Sequence, residues 1–186
     1  MPEPLVVRVS SSGGQPVAGR KVAYLLSDGA SGRLDPDTAV TNSSGEALAR
    51  WVLGPEPGSH AVLARLVTEV AEAPATVFQA SATPAGPDTL RPLSPLSQPG
   101  RRGETLPDPL VVMVVDRFGN PVPGIEVEWQ EAAGKGEVSA DATLTGADGT
   151  ASVLWTLGGQ IGVQKVTASV PGVTGSPVTF SATVLF

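Results

Sequence analysis

The chain has 186 residues, no cysteine, 41% apolar and 16% charged residues, and a formal net charge of −6. The missing thiols exclude disulfide frameworks and thiolate metal sites, and the apolar share excludes a disordered linker. Neither half clusters its basic residues as nucleic-acid binding requires, and no apolar run reaches the roughly 20 residues of a membrane-spanning helix.

Taken in chain order, the predicted elements are short strands of period two. Leu5, Val7 and Val9 point inward and Arg8 and Ser10 outward. After the turn Gly14-Gln-Pro-Val-Ala-Gly19 comes an inward pair, Val22 and Tyr24, and after Asn42-Ser-Ser-Gly45 come Ala47, Ala49, Trp51 and Leu53, alternating with outward Leu48, Arg50 and Val52. Val62 with Ala64 and Phe78 with Ala80 complete this set.

The stretch from Pro87 to Pro107 sets Leu90, Leu93 and Leu96 among prolines, which suits an edge strand over Thr89 to Gln98 that donates few hydrogen bonds. Beyond it, Leu110, Val112 and Val114 face inward with Met113 and Val115 outward. The turn Gly119-Asn-Pro-Val-Pro-Gly124 follows, then Val127 with Trp129, the turn Gly146-Ala-Asp-Gly149, and Ala151, Val153, Trp155 and Leu157. Val166 with Ala168 and Phe180 with Ala182 end the series. No window shows helical periodicity, and about seven strands on each side of the proline-rich stretch read as antiparallel β-sandwiches.

The two sets are copies. Pro2-Glu-Pro-Leu-Val-Val-Arg-Val9 returns as Pro107-Asp-Pro-Leu-Val-Val-Met-Val114, and Gly45-Glu-Ala-Leu-Ala-Arg-Trp-Val-Leu-Gly54 returns as Gly149-Thr-Ala-Ser-Val-Leu-Trp-Thr-Leu-Gly158. The offset is 105 at Pro16 and Pro121, 104 at Trp51 and Trp155, and 102 at Phe78 and Phe180. A period of about 100 residues is the size of a small domain rather than of a solenoid unit. The expected organisation is therefore all-β: a sandwich over residues 1–84 that lacks its first strand, and a complete one over residues 85–186.

Candidate chemistry is sparse. His60, the lone histidine, aligns with Gln164 beside a glycine-rich turn and is expected to be exposed and without catalytic partners. Glu126 and Glu128 share the outward face of one strand, about 7 Å apart by strand rise, but a solvated strand has no pocket to raise an acid's pKa. Asp35, Asp37, Asp116, Asp141 and Asp148 lie near turns without the ligand spacing of a calcium loop, and Asp148 is expected to set a hairpin. Asn42-Ser-Ser44 fits a glycosylation sequon, and Arg101-Arg-Gly-Glu104 reads as a basic, mobile loop. Trp51, Trp129 and Trp155 fall on the inward register, which assigns them to the core rather than to sugar stacking. No catalytic residue, cofactor or metal is expected. Outward Leu48, Val52, Leu63 and Leu154 mark a protein-contact surface if they merge into one patch.

The run Asp116-Arg-Phe-Gly-Asn-Pro-Val-Pro-Gly124, with Val127-Glu-Trp129, Gly146-Ala-Asp-Gly149, Trp155-Thr-Leu-Gly158 and Gly175-Ser-Pro-Val-Thr-Phe180, resembles bacterial immunoglobulin-like group 1 domains, the repeats of invasin- and intimin-type adhesins. The first copy is similar with departures: the stretch from Ser11 to Gly14 stands in place of Asp-x-x-Gly-Asn, and Tyr24 stands in place of the tryptophan. The resemblance implies two tandem immunoglobulin-like sandwiches acting as a non-enzymatic, rigid spacer or adhesive module of a bacterial extracellular or cell-surface protein. Protein partners or copies of itself are the expected contacts, with no nucleic acid and no membrane insertion. The join Thr83-Pro-Ala-Gly-Pro87 implies end-to-end stacking into a rod of roughly 70 to 90 Å. Two alternatives keep the fold. One is a self-assembling filament or virion-surface subunit that starts at Met1 and is completed by a neighbour's strand; the other is a carbohydrate-binding accessory module.

Overall fold

The computed structural model describes residues 3–68, 75–132 and 136–185; Met1 and Pro2, at the head of the first repeat, lie outside the described residues. Contacts divide the chain into two compact units, Met1–Thr83 and Pro84–Phe186. Each is all-β, and no helix of the described residues is long and apolar enough to cross a membrane.

Unit 1 holds seven strands among its described residues: β1 (Leu5–Arg8), β2 (Lys21–Leu26), β3 (Gly32–Asp35), β4 (Thr38–Val40), β5 (Glu46–Leu53), β6 (Gly58–Leu66) and β7 (Ala75–Ala82). One sheet runs β1-β5-β3 and the other β4-β2-β6-β7, with every pair antiparallel. Successive side chains point to opposite faces of a strand, so the alternating apolar residues collect between the sheets. Val22, Tyr24, Ala47, Ala49, Trp51, Val62 and Ala64 form that core. The Tyr24 hydroxyl donates to the Ala47 carbonyl at 2.7 Å, which satisfies its one polar atom, while burial raises its pKa.

Unit 2 adds β8 (Pro87–Pro92), β9 (Ser97–Arg101), β10 (Leu110–Asp116), β11 (Glu126–Glu131), β12 (Glu137–Val138), β13 (Ala142–Leu144), β14 (Thr150–Val153), β15 (Trp155–Thr156), β16 (Gly162–Ser169) and β17 (Val178–Leu185). Strands β14, β10 and β8 form one sheet, and β12 pairs with β15, which resumes the line of β14 beyond Leu154. The facing sheet runs β13-β11-β16-β17-β9. Twenty buried apolar residues make one core, with the Trp129 and Phe180 rings stacked at 6.3 Å between centroids.

Strands β1 to β7 and β10 to β17 follow one plan, and equivalent turns are tied alike. The Val9 amide donates to the Gly45 carbonyl and that of Val114 to the Gly149 carbonyl; Thr41 and Thr145 each donate through Oγ1 to a neighbouring carbonyl, Val17 and Val122. The turn caps differ in chemistry and in place, since Asn42 aligns with Gly146 and Asp148 with Ser44. Asn42 Oδ1 accepts from the Ser44 and Glu46 amides, whereas Asp148 Oδ1 accepts from the amide and hydroxyl of Thr150, which lower its pKa.

Three expectations need correction. The proline-rich stretch is not one edge strand over Thr89 to Gln98 but two, β8 antiparallel to β10 in one sheet and β9 parallel to β17 in the other. Of Leu90, Leu93 and Leu96 the first enters the core, while the other two are exposed where the chain crosses between sheets. Val115 is buried rather than in solvent, although its in-register pairing with Thr89 keeps it at outward parity and it stands outside the core; the register of β10 against β8 shifts only beyond it, between Val115 and Asp116. The Arg101 to Glu104 run is not a loose loop: the Gly103 amide donates to the Leu157 carbonyl and the Leu157 amide to that of Glu104.

Candidate functional site

Of the outward apolar residues, Leu48 and Val52 lie exposed on β5, and Leu154 is exposed in unit 2. Leu63 is half-buried on β6, in the opposite sheet of unit 1 from Leu48 and Val52, so these three do not merge into one patch. Each instead joins its own neighbours. Leu48 stands directly across from exposed Val6, and Leu63 lies between Leu25 and Val77 in a cross-strand row. Leu25 and Val77 escaped the sequence reading, although both sit at outward parity on their strands.

The carboxylates offer no assembled chemistry. Glu126, Glu128, Asp35, Asp37, Asp141 and Asp148 are all exposed, and Arg33 pairs with Asp35 at 3.3 Å in full solvent. Among the described residues no three His, Asp or Glu side chains converge as a metal site would require. The three tryptophans are buried, with the Trp129 indole nitrogen donating to Thr143 Oγ1 at 2.8 Å.

His60 is buried, not exposed as expected. Its parity on β6 matches Val62 and Ala64, so the ring enters the interior, where Nδ1 accepts from the Ser31 amide at 3.2 Å and Nε2 donates to the Glu56 carbonyl at 2.8 Å. Gln164 does the same work in unit 2, pairing through its amide with both the N–H and the carbonyl of Gly158 and donating to the Gln160 carbonyl. Both side chains tie the loop entering their strand, a structural role that satisfies backbone groups cut off from water.

What distinguishes unit 1 is a pair of edges that no described strand covers. In unit 2, β10 is flanked by β14 and β8, and β17 by β16 and β9. The equivalents β1 and β7 each have one described neighbour, β5 and β6. Burial follows pairing. Val112, Val114, Phe180 and Ala182 are 0% exposed, while their counterparts Val7, Val9, Phe78 and Ala80 are only partly buried.

This architecture, two facing sheets over an apolar core with a first strand divided between them, defines an immunoglobulin-like sandwich. Residues 107–183 match the family model described as bacterial Ig-like domain (group 1), so unit 2 carries such a domain. Among solved structures, InvD of Yersinia pseudotuberculosis is 17% identical with a TM-score of 0.57, covering 96% of this chain and 51% of its own. The D0-D1 domain of intimin is 24% identical over 95% of this chain and 85% of its own, at a TM-score of 0.39. FdeC, an Escherichia coli adhesin, is 18% identical over 96% of this chain and 58% of its own, at 0.49. The chain thus spans about half of the InvD structure, and the likeness is one of fold. Comparison with curated proteins gives no match.

Proposed function

We propose that the chain is a non-enzymatic structural and adhesive module: two tandem bacterial immunoglobulin-like sandwiches, over residues 1–84 and 85–186, within a bacterial extracellular or cell-surface protein. The observation that carries the reading is the reuse of one plan in both units, with the same turn ties and core positions and with every candidate acid outside the core except Asp116, which is consumed by hydrogen bonds. Repetition of a stable core with divergent surfaces suits a spacer that presents contacts, since chemistry would need convergent polar groups in a pocket. The resemblance of the motifs to invasin- and intimin-type repeats supports the same assignment. Protein contacts are placed on the Val6 and Leu48 pair, with Val52, on the Leu25, Leu63 and Val77 row, and on Leu154.

The test is to probe intact, unpermeabilised bacteria that make the protein with an antibody against this chain. Surface labelling that external protease removes is the expected result. Labelling seen only after lysis overturns the reading.

A further inference from the structure

Asp116 carries a carboxylate where the matching turn of unit 1 has the hydroxyl of Ser11. Both turns close with the same two backbone hydrogen bonds. The Asp116 amide donates to the Asn120 carbonyl and the Gly119 amide to that of Asp116, as the Ser11 amide donates to the Gln15 carbonyl and the Gly14 amide to that of Ser11. Unit 1 therefore forms this turn without a carboxylate. In unit 2 the acid is 2% exposed, and burying a charge is costly unless donors surround it.

Those donors divide by oxygen. Oδ1 accepts from the Phe118 and Asn120 amides at 2.9 and 2.8 Å, both within the turn. Oδ2 accepts from the Asn120 side chain at 2.9 Å and from the Ala85 amide at 3.0 Å, 31 residues earlier in the chain. Ala85 lies outside the turn, in the segment Pro84-Ala-Gly-Pro87 that leads into β8. Its two prolines have no N–H, so Ala85 and Gly86 are the segment's backbone donors. A hydrogen bond to an ionised carboxylate is stronger than one between neutral groups, which makes Asp116 an effective anchor for Ala85.

We infer that Asp116 is a positioning residue for the segment ahead of β8: its Oδ2 anchors Ala85, so that Thr83 and Pro84 are the residues left between the end of β7 and a fixed point on unit 2. A linker of two residues, one of them proline, has little conformational freedom. Without the anchor the loose stretch runs to Gly86 and doubles in length. What this means for a spacer rests on the reading proposed above; the anchor itself does not.

Asp116→Asn separates the anchor from the turn. Its one oxygen can take the Oδ1 place and keep the Phe118 and Asn120 amides, but an NH2 group then stands at the Oδ2 place and faces the Ala85 N–H donor to donor. Nitrogen-15 relaxation on the whole chain reads the result at Ala85 and Gly86. In the parent both should move with unit 2, at order parameters near about 0.85, and in Asp116→Asn they should fall below about 0.6. Phe118 and the core amides of Val112 and Val127 should keep their parent values. Asp116→Ser, which installs the unit 1 residue, should loosen Ala85 equally and takes the place of the asparagine variant if that one does not fold. Ala85 rigid in the folded variants, or mobile already in the parent, overturns the inference. Loosening of Phe118 in Asp116→Asn as large as that of Ala85 also overturns it, because the carboxylate then serves the turn alone. These values do not depend on surface labelling of bacteria, so failure of the spacer reading and failure of the anchor are told apart.

Discussion

The amide of Ala85, two residues ahead of β8, donates a 3.0 Å hydrogen bond to Oδ2 of Asp116 at the end of β10. The same carboxylate accepts from the Phe118 and Asn120 amides on Oδ1 and from the Asn120 side chain on Oδ2. Burial by itself would raise its pKa, but the combined hydrogen bonds from Asn120, Ala85 and Phe118 outweigh that and hold it at about 2. A carboxyl whose pKa falls on folding contributes stability that is complete above its unfolded value of 3.8 and is lost as pH falls toward about 2. Thermal melts should therefore show the transition of unit 2 dropping through that interval, and Asp116→Asn should flatten the drop while lowering stability at neutral pH. Unit 1 carries Ser11 at this place, where the backbone turn is kept by the Ser11 amide bonding to the Gln15 carbonyl. Its melt should lack this component.

His60 and Gln164 predict an exchangeable pair of roles. Gln164→Ala removes the partner of the N–H and carbonyl of half-buried Gly158 and should cost about 1–3 kcal/mol by urea denaturation. His60→Gln keeps both a donor and an acceptor at the loop of unit 1 and should fall within about 0.5 kcal/mol of the parent, whereas His60→Ala should behave like Gln164→Ala.

The paired phenylalanines test how far the open edges weaken unit 1. Phe180 is fully buried and stacked on Trp129, so Phe180→Ala should cost about 3–5 kcal/mol. Phe78 is partly exposed on β7, and less of its surface leaves water on folding. Phe78→Ala should cost less than half as much in the same assay.

Gly149 is held at φ +71°, and a Cβ there would lie 2.8 Å from the Val114 carbonyl oxygen and 2.9 Å from the Pro121 side chain. Gly149→Ala should destabilise unit 2 by more than about 1 kcal/mol, because backbone conformation and space both oppose it. Gly159, where a Cβ meets nothing within 4 Å and no left-handed backbone is needed, serves as the control, and Gly159→Ala should be near neutral.

Much of the interior was legible because the chain carries its own comparison. Where the copies differ in polarity, as at Arg8 and Met113, the side chain meets solvent in at least one copy; where both stay apolar at alternate positions, as at Val22 and Val127, the residue is buried. Val115 departs from the rule because it is buried at outward parity, bridged to Pro121, and no count of alternating residues shows where an outward face is covered. The exposure expected of His60 fails for a different reason. Its polar character suggests solvent, yet its parity with Val62, like that of Gln164 with Val166, places it inside, and unsatisfied loop backbone explains why polar side chains belong there. Thr41 and Thr145, the same residue in both copies, carried an equal signal that went unread. The crossing of the proline-rich segment between sheets depends on pairing partners far along the chain, β10 and β17, and local sequence is silent about these. That the outward leucines separate follows from sheet assignment in the same way.

Unit 1 repeats the plan of unit 2 with two edges that no described strand covers, and amide exchange on the whole chain tests this most directly. The Val9 amide points toward β5, so by antiparallel alternation those of Val6 and Arg8 face the open edge, where in unit 2 the Val111 amide donates to Ser94 Oγ. Exchange at Val6 and Arg8 should be orders of magnitude faster than at Val111 and Met113, while Val9 and Val114 exchange slowly alike. Equal and strong protection at Val6, Arg8, Val111 and Met113 would contradict the account.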